Sequence, residues 1–310
     1  MQLNRFKTLS GTVVAGMALS VSPLGAEAAI TGPYTADADT LHLWHLDESS
    51  FPAADTGTGT TIDMSETDDG SGGVPALGAA GFTGFGTALD MGTTDHTDAV
   101  ENTSAGLSQS AWQGTDGAFT YEALIRPNTI DAGSNDEDVM MIIGRDDGFS
   151  SGRAFQFRIF NGNLEFIPIG EGSGSVAIPT SGPHGFVQDE WFHVAVAYDG
   201  DPTGTDDLNF YWTRVDDSFT QANLLATTGD LSADIPTDSS NDTPSAIGSS
   251  ISGVSAGAPS LEFNNLRGLI DEVRVSGVAR GADEFIFVPE PASAALLGLG
   301  GVLLLSRRRA

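Results

Sequence analysis

Short runs of alternating apolar and polar residues fill the middle of the chain. One run ends at Pro127 and has apolar side chains at every second position, namely Phe119, Tyr121, Ala123 and Ile125. A period of two places these side chains on one face of a β-strand, and proline ends the strand because it has no N–H for the sheet. No amphipathic helical period of useful length is present in the sequence. The pattern predicts an all-β protein.

Three further segments have the pattern of strands. Residues 154 to 169 predict a hairpin, because Asn161-Gly162 is the dipeptide most typical of a two-residue β-turn. Residues 191 to 198 are apolar on both faces, which is typical of a strand in the middle of a sandwich sheet. Residues 208 to 215 are predicted to pair with that strand across an acidic turn at 199 to 207.

Other segments lack this pattern. Residues 51 to 86 are rich in Gly, Thr, Asp and Ala and contain few bulky side chains. We expect long loops there with one short strand, and solvated loops at 131 to 138 and 230 to 242. No internal repeat and no second domain is evident, so we predict one domain.

The amino-terminal residues predict export. Arg5 and Lys7 precede an apolar run at 9 to 24, and Ala26 and Ala28 supply the small residues that a signal peptidase recognises. We therefore expect a signal peptide at 1–28, cleaved after Ala28, followed by a short linker at 29–37. The partner implied at this end is signal peptidase.

The carboxyl-terminal residues predict a sorting signal at 288–310. A Pro-Glu-Pro motif precedes an apolar run at 292 to 305, and a triplet of arginines closes the chain. The motif residues are Pro289, Glu290, Pro291, Arg307, Arg308 and Arg309. The run falls short of the roughly 20 apolar residues that span a bilayer, so we expect transient membrane contact. The layout resembles the bacterial PEP-CTERM signal, which implies an exosortase-type processing enzyme and a final place at the cell surface or in the extracellular matrix.

The composition of the chain argues against some classes of ligand. The formal net charge is −29 and the chain contains no cysteine. Such a negative field repels nucleic acid and anionic lipid, so neither is an expected ligand. Without disulfides, the exported domain must be held by its hydrophobic core, with metal ions as the other available support.

Five sequence blocks carry a resemblance to a known family. They are LHLWHLDE at 41–48, GFGTALD at 84–90, FTYEALIRP at 119–127, EWFHVAVAYDG at 190–200 and GLIDEVRVSGVAR at 268–280. In this order they resemble bacterial LamG-like domains of the concanavalin A-like lectin/glucanase group, over residues 38–287. The resemblance implies a jelly-roll β-sandwich of two antiparallel sheets, with the first and last strands adjacent. It also implies that a curved sheet can bind glycans or proteins.

The resemblance raises the question of catalysis. Laminarinase-like glucanases on this fold carry two catalytic glutamates on one strand in the spacing ExDxxE, because retaining chemistry needs two carboxyl groups at close range. No strand of this sequence has that spacing, and the acidic triplet at 136–138 lies in a predicted loop. The sequence also lacks the HExxH and Gly-x-Ser-x-Gly motifs. We predict that the protein is not an enzyme, with a divergent laminarinase-like glycoside hydrolase as an alternative.

An acidic residue interrupts an apolar strand face. Asp271 shares its face with Leu269, Val273 and Val275, and a buried carboxylate is costly unless it is hydrogen-bonded or binds an ion. If the first and last strands are neighbours, Asp47 approaches Asp271, and the two carboxylates suit a structural calcium ion. The alternative is that backbone amides or a neighbouring arginine satisfy Asp271 and no metal binds.

Four side chains on the predicted strands are candidates for ligand contacts. They are Glu122, Arg158, His193 and Trp212. Polar groups can select among sugar hydroxyls, and an aromatic ring can stack on a sugar, although packing in the core is the alternative for Trp212. The predicted function is non-catalytic binding of polysaccharide or of a surface partner, and the alternative is a structural matrix or biofilm component without a defined ligand.

Overall fold

The computed structural model describes most of the predicted domain. The described residues are 32–67, 75–94, 98–102, 108–130, 139–145, 154–168, 172–205, 207–216, 219–235, 244–250 and 265–287. The predicted signal peptide, the sorting signal at 288–310 and the acidic triplet at 136–138 lie outside these residues. Within the described part, no helix has the length and apolar character needed to cross a membrane.

The described residues form fifteen strands and one short 3₁₀ helix at Gln109–Ala111. The strands are β1 (Thr40–Trp44), β2 (Ser65–Thr67), β3 (Ala76–Ala80), β4 (Thr87–Asp90), β5 (Ala99–Asn102), β6 (Phe119–Pro127), β7 (Met140–Arg145), β8 (Phe155–Phe160), β9 (Asn163–Pro168), β10 (Gly174–Ala177), β11 (Phe192–Tyr198), β12 (Leu208–Arg214), β13 (Leu224–Thr228), β14 (Ser245–Ile247) and β15 (Gly268–Ser276). The prediction of an all-β protein is confirmed.

Two antiparallel sheets make up the fold. The first sheet has the order β13-β12-β11-β6-β15-β4-β3, with β1 paired to β15 beside β4. The second sheet has the order β10-β9-β8-β7-β14-β5-β2. Thr40 lies opposite Ser276 and Trp44 lies opposite Val273, so the first and last strands are adjacent as expected. The predicted jelly-roll sandwich is confirmed.

The main core lies between the two sheets. Tyr121 of β6 stacks on Phe155 of β8 at a ring-centroid distance of 4.5 Å, and on Phe119 at 4.6 Å. The alternate residues of β6 that the sequence pattern predicted to share a face all lie in this core. Aromatic pairs of this kind stabilise a sandwich beyond the area that they bury. The period of two therefore sets which face of the first sheet meets the second sheet.

The predicted hairpin and its partner strands are also confirmed. Asn161 and Gly162 join β8 to β9 with φ angles of 49° and 72°, the left-handed conformation that this turn requires. Strand β11 pairs with β12 on one side and with β6 on the other. Both of its faces are apolar because one packs in the main core and the other in a second apolar cluster. The loop-rich segment 51–86 differs from expectation, because it contributes two short strands, β2 and β3, rather than one.

The outer face of the first sheet, which points away from the second sheet, is covered by both ends of the described body. We call residues 34–37 the amino-terminal arm and residues 281–287 the carboxyl-terminal strap. A second apolar cluster on this face contains Tyr34 of the arm and Phe285 and Phe287 of the strap, together with Leu124 of β6. The arm belongs to the predicted linker at 29–37, so part of that linker is packed against the sheet.

Candidate functional site

A buried cluster of charged and polar side chains lies on this covered face. Glu122 of β6 and His193 of β11 are fully buried, and His193 Nε2 lies 3.0 Å from Glu122 Oε2. Arg274 of β15 donates from Nε to Glu122 Oε1 at 2.6 Å. Because the carboxylate can only accept, His193 carries a proton on Nε2. Three neighbouring strands thus contribute one residue each to a compact ionic cluster.

The amino-terminal arm completes this cluster. The Tyr34 hydroxyl donates to Glu122 Oε2, and the Arg274 guanidinium lies over the Tyr34 ring at 3.9 Å from its centroid. The Tyr34 backbone N–H donates to Glu272 Oε2 at 2.7 Å, and Glu272 Oε1 also lies 2.8 Å from His45 Nδ1. The arm is therefore fixed by two buried carboxylates.

A β-bulge positions the second of these carboxylates. The register between β15 and β6 shifts between Asp271 and Arg274, and Glu272 has a φ of 49°. A bulge adds one residue to a strand and re-aims its side chains. Here the bulge includes Glu272, which accepts from Tyr34, and it lies directly before Arg274, which donates to Glu122.

Electrostatics keep Glu122 ionised although it is buried. Burial by itself raises the pKa of this carboxyl group, but the charge of Arg274 and the hydrogen bond from His193 outweigh it and lower the pKa to about 2. The same burial, with the nearby Glu122 charge, raises the pKa of Tyr34 well above its ordinary value. The cluster thus contains an anion, a guanidinium and a neutral phenol at neutral pH.

The strap closes the cluster from outside. The Phe285 ring lies 4.7 Å from the His193 ring and the Phe287 ring lies 5.7 Å from it, both measured between centroids. Phe287 is fully buried, and Arg274 Nη2 donates to the Glu284 carbonyl at 3.3 Å. The predicted ligand residues Glu122 and His193 are therefore brought together, but neither is exposed to a ligand in solution.

The other two predicted ligand residues lie elsewhere. Arg158 is on the second sheet, where it donates from Nη2 to Glu165 Oε2 at 3.0 Å. Trp212 is fully buried in the core, stacks on Phe192 at 4.6 Å and donates from Nε1 to the His184 carbonyl at 3.0 Å. Core packing, the alternative for Trp212, is what the structure shows. The four residues do not form one site.

Most of the buried cluster cannot be recognised from the sequence. Tyr34 falls in the predicted linker, and no sequence pattern predicts its contacts with Arg274 and Glu272. Their places depend on the bulge and on strand order, which no local spacing displays. The one available signal was a charged sequence, Asp271 to Arg274, inside an otherwise apolar strand.

The carboxylates of Asp271, on β15, and of Asp47, just after β1, both lie close to the turn that joins β3 to β4. A Cβ atom on Gly81 would lie 3.0 Å from Asp271 Oδ2, and one on Gly86 would lie 2.1 Å from Asp47 Oδ1. Asp47 Oδ1 accepts a hydrogen bond from the Thr87 N–H at 2.6 Å. The two carboxylates therefore approach the same short turn, as predicted from the adjacency of the first and last strands.

One oxygen of Asp271 is left without a partner. Asp271 Oδ1 accepts from the Glu272 N–H at 2.8 Å, whereas Oδ2 and the Thr87 hydroxyl have no hydrogen-bond partner among the described residues. Burial and the neighbouring Glu272 charge raise the pKa of Asp271 to about 9, and Asp47 adds to that effect. In the same described part, no group of three or more His, Cys, Asp or Glu side chains could hold a metal ion. The oxygen types fit a hard cation, with two carboxylates as its charged ligands.

The comparisons with known proteins agree with the fold. The sequence profile of the concanavalin A-like lectin/glucanases superfamily matches residues 97–285. No curated protein matches the chain.

Two bacterial proteins are among the solved structures to which this chain is similar. The chain is 23% identical to a Bacteroides ovatus protein for which carbohydrate binding has been proposed, with a TM-score of 0.36 over 57% of this chain and 42% of that one. The chain thus spans less than half of that protein. It is 14% identical to domain 4 of AbnA, an extracellular arabinanase of Geobacillus stearothermophilus solved with arabinotriose, with a TM-score of 0.48 over 81% of this chain and 98% of that domain.

We predict that replacing Glu122 by glutamine, Glu122→Gln, lowers the free energy of unfolding by about 3–5 kcal/mol, because it leaves the buried Arg274 charge uncompensated. Urea unfolding at neutral pH measures this change. The control is Glu165→Gln, which removes the partner of Arg158 near the surface and is expected to cost less than about 1 kcal/mol. Equal losses for the two variants would contradict a special role of the buried cluster.

We also predict that Glu122→Gln changes how the stability of the protein depends on acidic pH. The pKa of Glu122 is about 2 in the folded protein against an ordinary value of 4.5, so the folded state binds this proton more weakly than the unfolded state. The stabilisation is complete above the ordinary value and is lost as the pH falls from there toward 2. The free energy of unfolding, measured between about pH 4.5 and pH 2, should depend less on pH for Glu122→Gln than for the wild type.

Proposed function

Because the chain belongs to the concanavalin A-like lectin/glucanase superfamily, we propose that it is an exported, non-catalytic protein that binds polysaccharide at the cell surface or in the extracellular matrix. The observation that carries the non-catalytic part is the burial of Glu122 and Glu272. A glycoside hydrolase needs two carboxyl groups in contact with the glycosidic bond. In this protein the carboxylates of Glu122 and Glu272 are fully buried and hold Tyr34 in place.

The negative charge of the protein favours neutral polysaccharides as its ligands. With a formal net charge of −29, the protein repels anionic polymers at low salt. Neutral polysaccharides meet no such barrier, and their recognition relies on hydroxyl groups and ring faces. A structural matrix protein without a defined sugar, or one that binds another surface protein, is the alternative function.

The proposed route to the surface uses both end segments. Signal peptidase removes residues 1–28, and the segment 288–310 contacts the inner membrane until an exosortase-type enzyme processes it. Support comes from the sequence motifs alone, including Pro289, Glu290 and Pro291 followed by the terminal arginines. The ends of the mature protein are therefore expected near Ala29 and near the Pro-Glu-Pro motif.

We also propose a structural calcium ion between Asp271 and Asp47. The unpartnered Asp271 Oδ2 supports it, because a buried carboxylate oxygen without a donor is costly and a cation relieves that cost. The Thr87 hydroxyl and backbone carbonyls of the turn at 81–86 would be its neutral ligands. The ion would hold this turn, which joins β3 to β4, against β15.

A glycan array tests the binding function. We expect the full-length protein to bind neutral polysaccharides above background and to bind anionic ones less well. Incubation with laminarin is expected to release no reducing ends, since the buried carboxylates cannot contact the sugar. An array without any signal would favour the structural matrix protein, and release of reducing ends would favour the hydrolase.

Mass spectrometry of the protein from its native host tests the export route. The mature amino terminus is expected at Ala29, and the terminal arginines Arg307 to Arg309 are expected to be absent. Recovery of the intact carboxyl terminus in the extracellular fraction would contradict processing.

Calcium dependence tests the ion site. Millimolar calcium is expected to raise the melting temperature relative to chelator, by an amount equivalent to about 2.7 kcal/mol if free calcium is a hundredfold above its Kd. The Asp271→Asn variant should lose this response. The control Asp201→Asn, in the exposed turn at 199–207, should keep it.

A protonated Asp271 without bound calcium would give a different dependence of stability on pH. If Asp271 instead carries a proton, its pKa of about 9 lies far above the ordinary 3.8, so the folded state binds the proton more tightly than the unfolded state. Stability then falls as the pH rises from the ordinary value to about 9. In that case Asp271→Asn would stabilise the protein at neutral pH, and calcium would leave the melting temperature unchanged.

A further inference from the structure

A cleft of about 710 Å³ lies at the edge of the first sheet. It is lined by residues 219–224, which lead into the edge strand β13, by His184 and by Ala282 of the strap. Its volume falls in the range of roughly 300–1,000 Å³ that is typical of sites for small molecules. Unlike the covered face of the sheet, this edge is accessible, since Leu224 is 46% exposed.

The walls of the cleft are held in place by hydrogen bonds to the sheet and the strap. The Ala222 N–H donates to the Ala282 carbonyl at 2.8 Å. The Asn223 N–H donates to Thr213 Oγ1 at 2.8 Å, and Trp212 Nε1 donates to the His184 carbonyl at 3.0 Å. The cleft is therefore formed before any ligand arrives, which lowers the entropic cost of binding.

The described side chains that line the cleft are uncharged at neutral pH. His184 and Phe219 form an aromatic pair with ring centroids 4.2 Å apart, and burial lowers the pKa of His184, which keeps it neutral at neutral pH. Thr220, Gln221 and Asn223 add a hydroxyl and two amides. Apart from the neutral His184, none of the described residues that line the cleft has an ionisable side chain.

This combination matches one class of ligand. Aromatic rings next to hydroxyl and amide groups suit a molecule that has both an apolar C–H face and several hydroxyl groups. A neutral sugar unit has these properties. An anionic sugar lacks a cationic partner here, and Asp283 directly follows Ala282 on the strap and adds repulsion.

We propose that this cleft is the binding subsite for neutral polysaccharide, with Phe219 as the stacking surface and Gln221 and Asn223 as hydroxyl contacts. The inference rests on the proposed function and locates it at the β12–β13 edge rather than on the sheet face. The strap forms one wall of the subsite through Ala282, so the same segment that seals the buried cluster also shapes the cleft. The Trp212 indole N–H donates to the carbonyl of His184, so it is one hydrogen bond away from a residue that lines the cleft.

Titration of the full-length protein with laminarin, dextran and alginate oligosaccharides tests the subsite. We expect laminarin or dextran to bind, and Phe219→Ala to weaken that binding by about tenfold or more, in line with the loss of an aromatic contact. Gln221→Ala should also weaken it. The matched control is Phe160→Ala, a partly buried phenylalanine on the second sheet, which should leave the affinity unchanged.

Nuclear magnetic resonance gives an independent readout of position. The Trp212 indole N–H signal, assigned with Trp212→Phe, is expected to shift on addition of the bound oligosaccharide, whereas the signals of Trp44 and Trp112 in the core should not. Gln221 is exposed, so Gln221→Ala keeps the test valid even if Phe219→Ala unfolds.

Each remaining outcome overturns the inference in a different way. Binding of laminarin or dextran that survives both Phe219→Ala and Gln221→Ala overturns the location and leaves the proposed function intact. Preferential binding of alginate overturns the neutral ligand class. Absence of binding both here and on the glycan array overturns the proposed function and the subsite together.

Discussion

The buried negative charge of Glu122 is the constraint on which the covered face depends. A carboxylate removed from water requires charged and hydrogen-bonding partners, and here they come from β11, β15 and the amino-terminal arm. Those partners link the side chains of three adjacent strands and hold Tyr34 on the sheet. The strap then shields the ionic contacts with Phe285 and Phe287, which strengthens them by excluding water. Both ends of the domain are thereby fixed to one face.

This arrangement determines where a ligand can bind. A jelly-roll sheet offers a broad outer surface, but in this protein that surface is occupied by the chain itself. On this sheet, the proposed ligand site is therefore at an edge and in the adjoining loop, where polar side chains remain in contact with solvent. The cleft beside His184 has such side chains, and its shape depends on the strap through the hydrogen bond between Ala222 and Ala282. The carboxyl-terminal strap thus contributes both to the stability of the covered face and to the shape of the cleft.

The strands were predictable because their signals are local. Alternation in β6 and the Asn161-Gly162 turn depend on neighbouring residues, and each led to the observed element. The family resemblance supplied the adjacency of β1 and β15, which is confirmed, and the structure adds that the carboxylates of Asp47 and Asp271 approach the same turn. Ligand contacts were harder to predict, because alternation separates the two faces of a strand without showing what covers each face.

The sequence alone determined that the protein is all-β, where β6, β8, β9, β11 and β12 lie, and which side chains of β6 share a face, because the period of two and the turn residues act over a few positions. The tertiary structure decided the rest. It buried Glu122 and His193, placed Trp212 in the core and Arg158 on the other sheet, and turned part of a predicted linker into a packed arm. The physical reason is that burial of an outer face depends on chain segments far apart in sequence, and only folding brings residues 34 and 287 onto the same sheet.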